Sequence, residues 1–284
     1  MAAALSVVSE VETRLAELRA KRGEGTRTSV MTHVAWAPPR WADSARRTLA
    51  GLEEEHPSRT ILLFPDPRRA AGVQVDVELR CFAIPGSKRE VCSDVITLRL
   101  GGKRARVPGS LVTPLLVSDL PTFCRWRGLP PWRSSELEQL VEVCDRLVVD
   151  SAEWRGLPGA YRELAKLFDR IAVSDIAWGR SLGWRARLAE RWPGIGEASR
   201  LSVTGPKADA LLLAGWLRAR LGRKVALTHR AASRLERVAV DGEAVPSPPG
   251  AAPSASNLLS AELDVFGRDP VYEAAVRAAA KSGK

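Results

Sequence analysis

Some segments of the chain have apolar runs or alternation typical of strands, and others repeat apolar residues at helical spacing. This pattern predicts strands interleaved with helices. The largely apolar segments SVMTHVAW (29–36) and TILLF (60–64) have strand length and are typical of strands covered on both faces. The segment VQVDVELRC (73–81) instead alternates apolar and polar residues, which predicts a strand with one solvent-exposed face. The weaker alternation of DVITLRL (94–100) predicts an antiparallel partner for that strand.

Segments with helical spacing separate and follow these strands. A first amphipathic helix is expected to begin at a capping box of Ser9 and Glu12 and to end at Gly23. The other elements expected in this half are helices at 41–55, at 111–117 and from Ser135, and strands at 121–126 and 146–150.

The second half of the chain shows the same mixture of periods. Its expected helices lie at 161–171, at 174–192, at 208–221 with Gly222 as the C′ residue, and after the cap Asp269. Its expected strands lie at 201–203, 224–229, 234–240 and 261–266. The proline-rich segment 246–256 has the composition of a flexible excursion.

Strands interleaved with helices indicate the α/β class. A chain of 284 residues is long for one compact core and sufficient for two domains of ordinary size. We therefore expect two α/β domains with mixed sheets flanked by helices, one over residues 1–152 and one over residues 153–284.

The composition is that of a globular protein, with 45% hydrophobic and 27% charged residues. Every apolar run is shorter than the roughly 20 residues that span a bilayer, so we expect no membrane partner. Residues 1–25 carry both charge signs and lack the apolar core of a signal peptide, so we expect a cytoplasmic protein.

The four cysteines Cys81, Cys92, Cys124 and Cys144 show neither the close pairs nor the Cys/His spacing of a metal site. In a cytoplasmic chain, free and mostly buried thiols are the favoured interpretation. A redox-sensing pair is the alternative, because two paired strands would bring Cys81 and Cys92 together.

The formal net charge of +10 raises the question of a nucleic-acid partner. The basic residues concentrate at 99–106 and 218–237, and such clusters suit polyphosphates and acidic protein surfaces equally well. No nucleic-acid-binding motif accompanies them, so we do not expect a nucleic-acid partner.

Several common catalytic signatures are missing from the sequence. It contains no GxGxxG, GxxxxGK[ST] or HExxH motif, and no metal, cofactor or catalytic residue is assigned. His33 lies in a buried strand and is interpreted as a core residue. His56, Ser58 and Arg59 allow two interpretations, a helix stop or a polar loop at the edge of a parallel sheet, where α/β proteins bind ligands.

Two clusters of tryptophan and arginine remain to be explained. In 174–192, Trp178 shares a helical face with Asp175 and Arg185, and Arg180 is placed to lie over Trp184. These groups suit a core helix, a stacking platform for nucleic acid or a docking face for a protein. In 115–132, Asp119 and Pro121 mark a turn before Trp126, which gives either a packed loop or an exposed ridge.

The motifs occur in a familiar order. EHPSR precedes a buried strand, and VTPLLVSDLPTFCRWRG, a DxAWxRxxxWR stretch and AGWLRARL follow it. In this order the chain resembles the OpcA family of bacterial glucose-6-phosphate dehydrogenase assembly or activator proteins, over nearly its whole length. It departs from the family pattern at Cys124-Arg125-Trp126, where a more apolar run is expected.

The resemblance implies a non-enzymatic assembly factor and allosteric activator that binds glucose-6-phosphate dehydrogenase and supports the oxidative pentose phosphate pathway. A sugar-phosphate-binding enzyme and a nucleic-acid-binding protein are the alternatives. The resemblance also suggests partner-binding residues at the motif positions, and these are His56, Ser58, Arg59, Asp119, Pro121, Trp126, Asp175, Trp178, Arg180, Trp184 and Arg185.

Overall fold

The computed structural model describes residues 2–22, 26–27, 29–52, 56–83, 86 and 90–281. The chain forms two compact units, and neither is continuous in sequence. The first contains residues 1–148 and 255–263, and the second contains residues 149–254 and 264–284. The expected division after residue 152 does not include this return of the chain to the first unit.

Helices and strands alternate through both units. The helices are α1 (Ala2–Arg22), α2 (Ala42–Ala50), α3 (Gly109–Val112), α4 (Ser135–Val143), α5 (Gly159–Leu164), α6 (Ile176–Arg180), α7 (Leu182–Ala189), α8 (Lys207–Leu221), α9 (Ala255–Leu263) and α10 (Pro270–Ala280). The strands are β1 (Thr26–Arg27), β2 (Met31–Trp36), β3 (Ser58–Asp66), β4 (Gly72–Ala83), β5 (Glu90–Gly101), β6 (Thr122–Trp126), β7 (Arg146–Val149), β8 (Ala172–Asp175), β9 (Arg200–Gly205), β10 (Ala226–Ala231), β11 (Arg237–Val240) and β12 (Glu243–Ala244). The α/β class is therefore confirmed.

The first unit is built on a mixed sheet. Its parallel strands follow the order β5-β3-β2-β6-β7, while β4 pairs antiparallel with β5 and the short β1 pairs parallel with the start of β5. This is the order of a doubly wound sheet, in which the chain starts at a central strand, moves to one edge and then builds toward the other. The topological switch point lies between β2 and β6. Every residue of β2 is buried, as its apolar sequence predicts.

Strand β4 lies at the edge of this sheet. Its polar positions from Gln74 to Glu78 are exposed and the intervening valines are partly buried, which confirms the predicted solvent-exposed face. Its antiparallel pairing with β5 is also confirmed. Helix α1 lies against β4, where the Arg14 guanidinium donates to the Val75 carbonyl at 2.7 Å.

The pairing of β4 with β5 places Cys81 directly opposite Cys92, and the two are joined in a disulfide. The expectation of four free thiols is therefore wrong for this pair, because the strand register brings their Cα atoms to 4.0 Å. Cys124 and Cys144 are free and buried, as expected.

Two helix starts in the first unit differ from expectation. Helix α1 runs from Ala2 through Ser9, so Ser9 is an interior residue, and the expected stop at Gly23 lies outside the described residues. Helix α4 is capped one residue early, because the Ser134 hydroxyl accepts from the Leu137 amide at 3.3 Å.

The second unit contains a four-stranded sheet of order β10-β9-β11-β12, with β10 parallel and β11 antiparallel to β9. Leu201 and Val203 of β9 pack with Leu213 and Leu217 of α8 in one apolar core. Helix α8 ends as predicted, at Gly222 with a left-handed φ of 62°. Asp269 caps α10 as predicted.

Two expected helices and one expected strand in this half of the chain are corrected. The helix expected at 161–171 ends at Leu164 and continues as turns. The helix expected at 174–192 begins as strand β8 and is divided at Ser181, whose hydroxyl donates to the Trp178 carbonyl at 2.8 Å and so competes with continued helix. The strand expected at 261–266 is wrong, because Leu259 and Leu263 follow helical spacing and are buried in α9.

The disulfide leads to a first prediction. Replacing both Cys81 and Cys92 by serine should lower the free energy of unfolding by about 2 to 3 kcal/mol, because the bond restricts a short loop in the unfolded chain. Chemical denaturation with and without a thiol reductant measures this. The reductant should destabilise the parent and leave the double variant unchanged, and an equal response of both proteins would contradict the prediction.

Candidate functional site

The residues singled out in the first unit lie at the amino ends of the parallel strands. Ser58 is opposite Met31 at the start of β2, and Thr122, which follows Pro121, is opposite Thr32. Ligands of open α/β sheets bind outside the carboxyl ends of the strands. The position of His56, Ser58 and Arg59 at the amino ends therefore does not favour a ligand loop of this kind, and their role in partner binding stays a prediction.

These side chains make internal contacts instead. The His56 Nε2 lies 2.6 Å from the Ser260 hydroxyl of α9, and the Ser58 hydroxyl lies 3.1 Å from that of Thr60. Arg59 donates to the Asp94 carboxylate at 3.0 Å and to the Leu115 carbonyl at 3.1 Å. These contacts join the amino ends of the strands to neighbouring elements of the first unit.

Trp126 lies at the carboxyl end of β6, whereas Asp119 and Pro121 precede its amino end, so these three residues do not form one ridge. Asp119 is exposed with a positive φ of 63°, whereas Trp126 is buried and stacks on Trp36 with ring centroids 5.0 Å apart. Trp36 and Trp126 end β2 and β6, the two strands that flank the switch point. Stacked indoles therefore lie at the carboxyl ends of the two strands between which a doubly wound sheet would receive a ligand.

A third tryptophan, Trp41, packs against the loop that follows β6. The Arg127 guanidinium lies 4.7 Å from the centroid of the Trp41 ring. Gly128 has a φ of 77°, and a Cβ atom there would lie 2.9 Å from the Trp41 Nε1. The indole thus needs glycine at this position of the loop after β6.

His33 lies in the interior of the sheet, as its buried strand predicts. Burial and the positive charge of Arg125 lower the pKa of His33 to about 3. The imidazole is therefore neutral at physiological pH, and its low basicity makes it a poor general base.

The motif at 174–185 forms a buried network in the second unit, and Asp175 is its centre. One Asp175 carboxylate oxygen accepts from the amides of Ala177 at 2.9 Å and Ser151 at 3.0 Å. The other accepts from the Tyr272 hydroxyl at 3.4 Å. Asp175 thereby caps α6, as predicted, and joins it to the segment after β7 and to α10. Burial, and next the charge of Asp150, raise the pKa of Asp175 to about 6.

Arg180 connects two further carboxylates to this network. Its guanidinium donates to both oxygens of Asp209 at 3.0 and 3.1 Å and to Asp150 at 2.9 Å. Asp209 lies in the first turn of α8 and is completely buried. Burial raises the pKa of Asp209 to about 7 against the opposing effect of Arg180. Arg180 is itself a mostly buried part of this network, since its side chain is only 23% exposed.

Trp178, Trp184 and Arg185 complete the motif with internal contacts. Trp178 is buried and donates from Nε1 to Asp269 at 2.8 Å. Arg185, not Arg180, makes the cation–π contact of this helix pair, with its guanidinium carbon 3.3 Å from the centroid of Trp178. Trp184 is buried in the core formed with α8 and β9. The motif is therefore a structural network, and any role of its residues in partner binding remains a prediction.

The outward face of α7 carries exposed apolar residues that are not among the predicted partner-binding residues. Leu182 is 62% exposed and Trp192, just beyond the helix, is 68% exposed. Ala186 and Ala189 lie between them and are exposed. Leu182, Ala186 and Ala189 follow helical spacing, so a search for a second apolar stripe opposite Trp184 and Leu188 would have found this part of the face. Trp192 lies beyond the helix, and its exposure does not follow from that spacing.

Few of the described side chains are grouped closely enough to hold a metal ion. Within the described part of the chain, the one group close enough to hold a metal ion is Cys81, Glu90 and Cys92, and its two sulfur atoms are joined in the disulfide. Asp150 and Asp209 are held by Arg180, so both act as partners in ion pairs.

Comparisons with known families assign both halves of the chain. Residues 50–166 match the family described as the glucose-6-phosphate dehydrogenase subunit N-terminal domain, and residues 171–276 match the corresponding C-terminal domain, both under the OpcA name. No helix among the described residues is both long and apolar enough to cross a membrane.

Three curated cyanobacterial proteins are similar to the chain, each named "Putative OxPP cycle protein OpcA". The protein from Nostoc punctiforme is 28% identical over 177 residues, which is 58% of this chain and 38% of the relative. The Synechocystis protein is 28% identical over 60% of this chain and 38% of its own length. The Synechococcus elongatus protein is 26% identical over 60% of this chain and 41% of its own length. The chain thus matches about two fifths of each relative.

The ion pairs of Arg180 lead to a second prediction. Arg180→Ala should destabilise the protein by about 3 kcal/mol or more, because it leaves Asp209 buried without its counter-charge. Arg187→Ala is the matched control, since Arg187 pairs with the exposed Glu190 on the helix surface and should contribute about 0.5 kcal/mol or less. Denaturant unfolding of the three proteins measures both effects, and similar stabilities of the two variants would contradict this assignment.

The raised pKa of Asp175 leads to a third prediction. An acid whose pKa is higher in the folded than in the unfolded state stabilises the fold below the folded pKa, and this contribution is lost as the pH rises through it. Asp175 should therefore add about 1 kcal/mol of stability when the pH falls from about 8 to about 5.

Asp175→Asn keeps an oxygen for the Ala177 and Ser151 amides and removes the titration. Unfolding followed across this pH range should show a shallower pH dependence for Asp175→Asn than for the parent. Parallel curves for the two proteins would show that Asp175 does not titrate in this range.

Proposed function

We propose the function of this chain from one premise: the chain belongs to the OpcA family, whose N-terminal and C-terminal domains match its two halves. The family descriptions relate it to glucose-6-phosphate dehydrogenase, and the names of its relatives relate it to the OxPP cycle. On this premise, the chain is a non-catalytic subunit that binds glucose-6-phosphate dehydrogenase and favours its active oligomer.

The observation that supports a binding function is the exposed apolar face of α7. Leu182 and Trp192 expose most of their side chains, and the alanines between them present no polar group. Exposed apolar patches of this kind mark interaction sites, and tryptophan is among the residues that contribute most to protein interfaces. The buried side of α7 fixes this face rigidly, because Trp184 and Leu188 are anchored in the core.

The switch point of the first unit supports a non-catalytic role. Stacked Trp36 and Trp126 lie at the carboxyl ends of the strands between which a doubly wound enzyme would bind its ligand. A subunit that binds one oligomeric state of an enzyme more tightly than another shifts the population toward that state. Such an activator needs no reacting groups of its own.

The function is tested with purified proteins. The chain should co-sediment with glucose-6-phosphate dehydrogenase in analytical ultracentrifugation and raise its activity in a coupled NADPH assay. It should show no turnover of sugar phosphates by itself. A dehydrogenase whose sedimentation and activity are unchanged at saturating amounts of the chain would refute the proposal.

The exposed face of α7 leads to a fourth prediction. Leu182→Asp should weaken dehydrogenase binding at least about tenfold, since it places a charge in an apolar contact. The fold should be retained, because Leu182 is exposed at the first position of α7, where an acidic residue is favourable.

Leu5→Asp is the matched control, because Leu5 is 63% exposed on α1. Sedimentation titrations and thermal unfolding should separate binding from stability. If Leu182→Asp binds as the parent does, α7 is not the docking face.

A further inference from the structure

The small sheet of the second unit has one open edge of useful length. Strand β10 pairs with β9 and, among the described residues, with no other strand, and its residues from Ala226 to Ala231 are exposed or half-buried. The opposite edge is the two-residue strand β12, which is too short to receive a partner strand. Exposed edges are templates for pairing with another chain, and proteins usually protect them.

The hydrogen-bonding groups of β10 are divided between its two sides. The Ala226 amide donates to the Ser199 carbonyl and the Ala232 amide donates to the Gly205 carbonyl, so the amides of even-numbered residues point toward β9. Because amide directions alternate along a strand, the amides of Leu227, His229 and Ala231 point to the open edge. Three consecutive ladder positions are therefore available to an added strand.

The outer face of the sheet beside this edge is basic. Arg230 of β10 and Arg237 of β11 both lie opposite Thr204 of β9, one on each side, and both are exposed. Adjacent strands are about 4.8 Å apart, so the two arginines stand on either side of the central strand about 10 Å apart. Ser202 and Thr228 form the next row and add hydroxyl groups.

The acidic residues near this face are already engaged. Glu236 lies 3.8 Å from Arg234, and the Asp241 carboxylate accepts hydrogen bonds from Ser199 and the Arg200 amide, which lower its pKa. Neither Arg230 nor Arg237 has a carboxylate partner among the described residues. The other long edge strand, β4, differs in this respect, because its Arg80 is paired with Glu78.

We propose that the edge of β10 receives an extended acidic segment of the partner dehydrogenase, which adds to the sheet as a further strand and places its carboxylates near Arg230. The open backbone amides favour a polypeptide over a nucleic acid, since only a polypeptide continues a β ladder. The unpaired arginines favour an acidic sequence through charge complementarity. The identity of the partner rests on the proposed function, whereas the strand addition does not.

The first experiment uses the whole chain and a short fluorescent peptide that alternates glutamate and valine. Fluorescence anisotropy should show saturable binding that weakens as salt is added, and a peptide that alternates lysine and valine should not bind. Hydrogen exchange should show protection of the Leu227 and His229 amides when the acidic peptide is bound.

Two variants separately test the charge of the face and the backbone hydrogen bonds of the edge. Arg230→Glu combined with Arg237→Glu should weaken peptide binding at least about tenfold, because it reverses the charge of the face. Ala231→Pro should do the same by removing one outward amide, and it leaves the bonds to β9 in place. Arg47→Glu, an exposed charge reversal on α2, is the control and should bind as the parent does.

The outcomes distinguish the alternatives. Peptide binding that survives Ala231→Pro, or that a single-stranded oligonucleotide displaces with equal affinity, would overturn strand addition and indicate a general anion surface. In the dehydrogenase assay, the double arginine variant and Ala231→Pro should both lose binding. If the parent and these two variants bind the dehydrogenase equally, this inference fails alone, and if the parent does not bind it at all, the proposed function fails instead.

Discussion

The second unit depends on how a few buried charges are neutralised around Asp175 and Arg180. Asp175 and Asp209 are both fully buried, and a buried carboxylate is tolerated only when hydrogen bonds and counter-charges replace its hydration. Asp175 finds amide and hydroxyl donors on three segments, and Asp209 finds the guanidinium of Arg180. The positions of α6, α8 and α10 are thereby fixed by one connected set of polar contacts.

This arrangement explains why a motif rich in tryptophan and arginine need not be an interface. Arg185 covers the ring of Trp178, and Trp178 in turn reaches Asp269 at the start of α10. The same residue types that dominate interfaces also form internal networks where they can satisfy one another. Leu182 meets the surface because Trp184 and Leu188 turn the opposite side of α7 into the apolar core.

The elements that sequence predicts well are those with a strong local signal. The buried strand β2, the solvent-exposed face of β4, and the ends of α8 at Gly222 and of α10 at Asp269 all follow from short-range patterns. The failures have nonlocal or competing causes. Ser181 interrupts a helix through its own hydroxyl.

The candidate site could be predicted only in part, for the same reason. The sequence places Asp175 at a helix start, and the structure confirms that cap. It cannot show that Arg180 meets Asp209, 29 residues later, because tertiary structure alone brings them together. The exposure of Leu182 likewise depends on which side of the helix packs against the core. The pairing of Cys81 with Cys92 depends on strand register.

The return of α9 to the first unit has a consequence for the order of folding. Ser260 meets His56, and Ser256 donates to the Thr48 carbonyl, across more than 200 positions of sequence. During synthesis, the first unit emerges from the ribosome long before the segment that completes it. The second unit is incomplete at that point as well, because its residues 264–284 are made only after α9. Contacts of such long sequence separation slow folding, so neither unit can be completed until synthesis has passed residue 255.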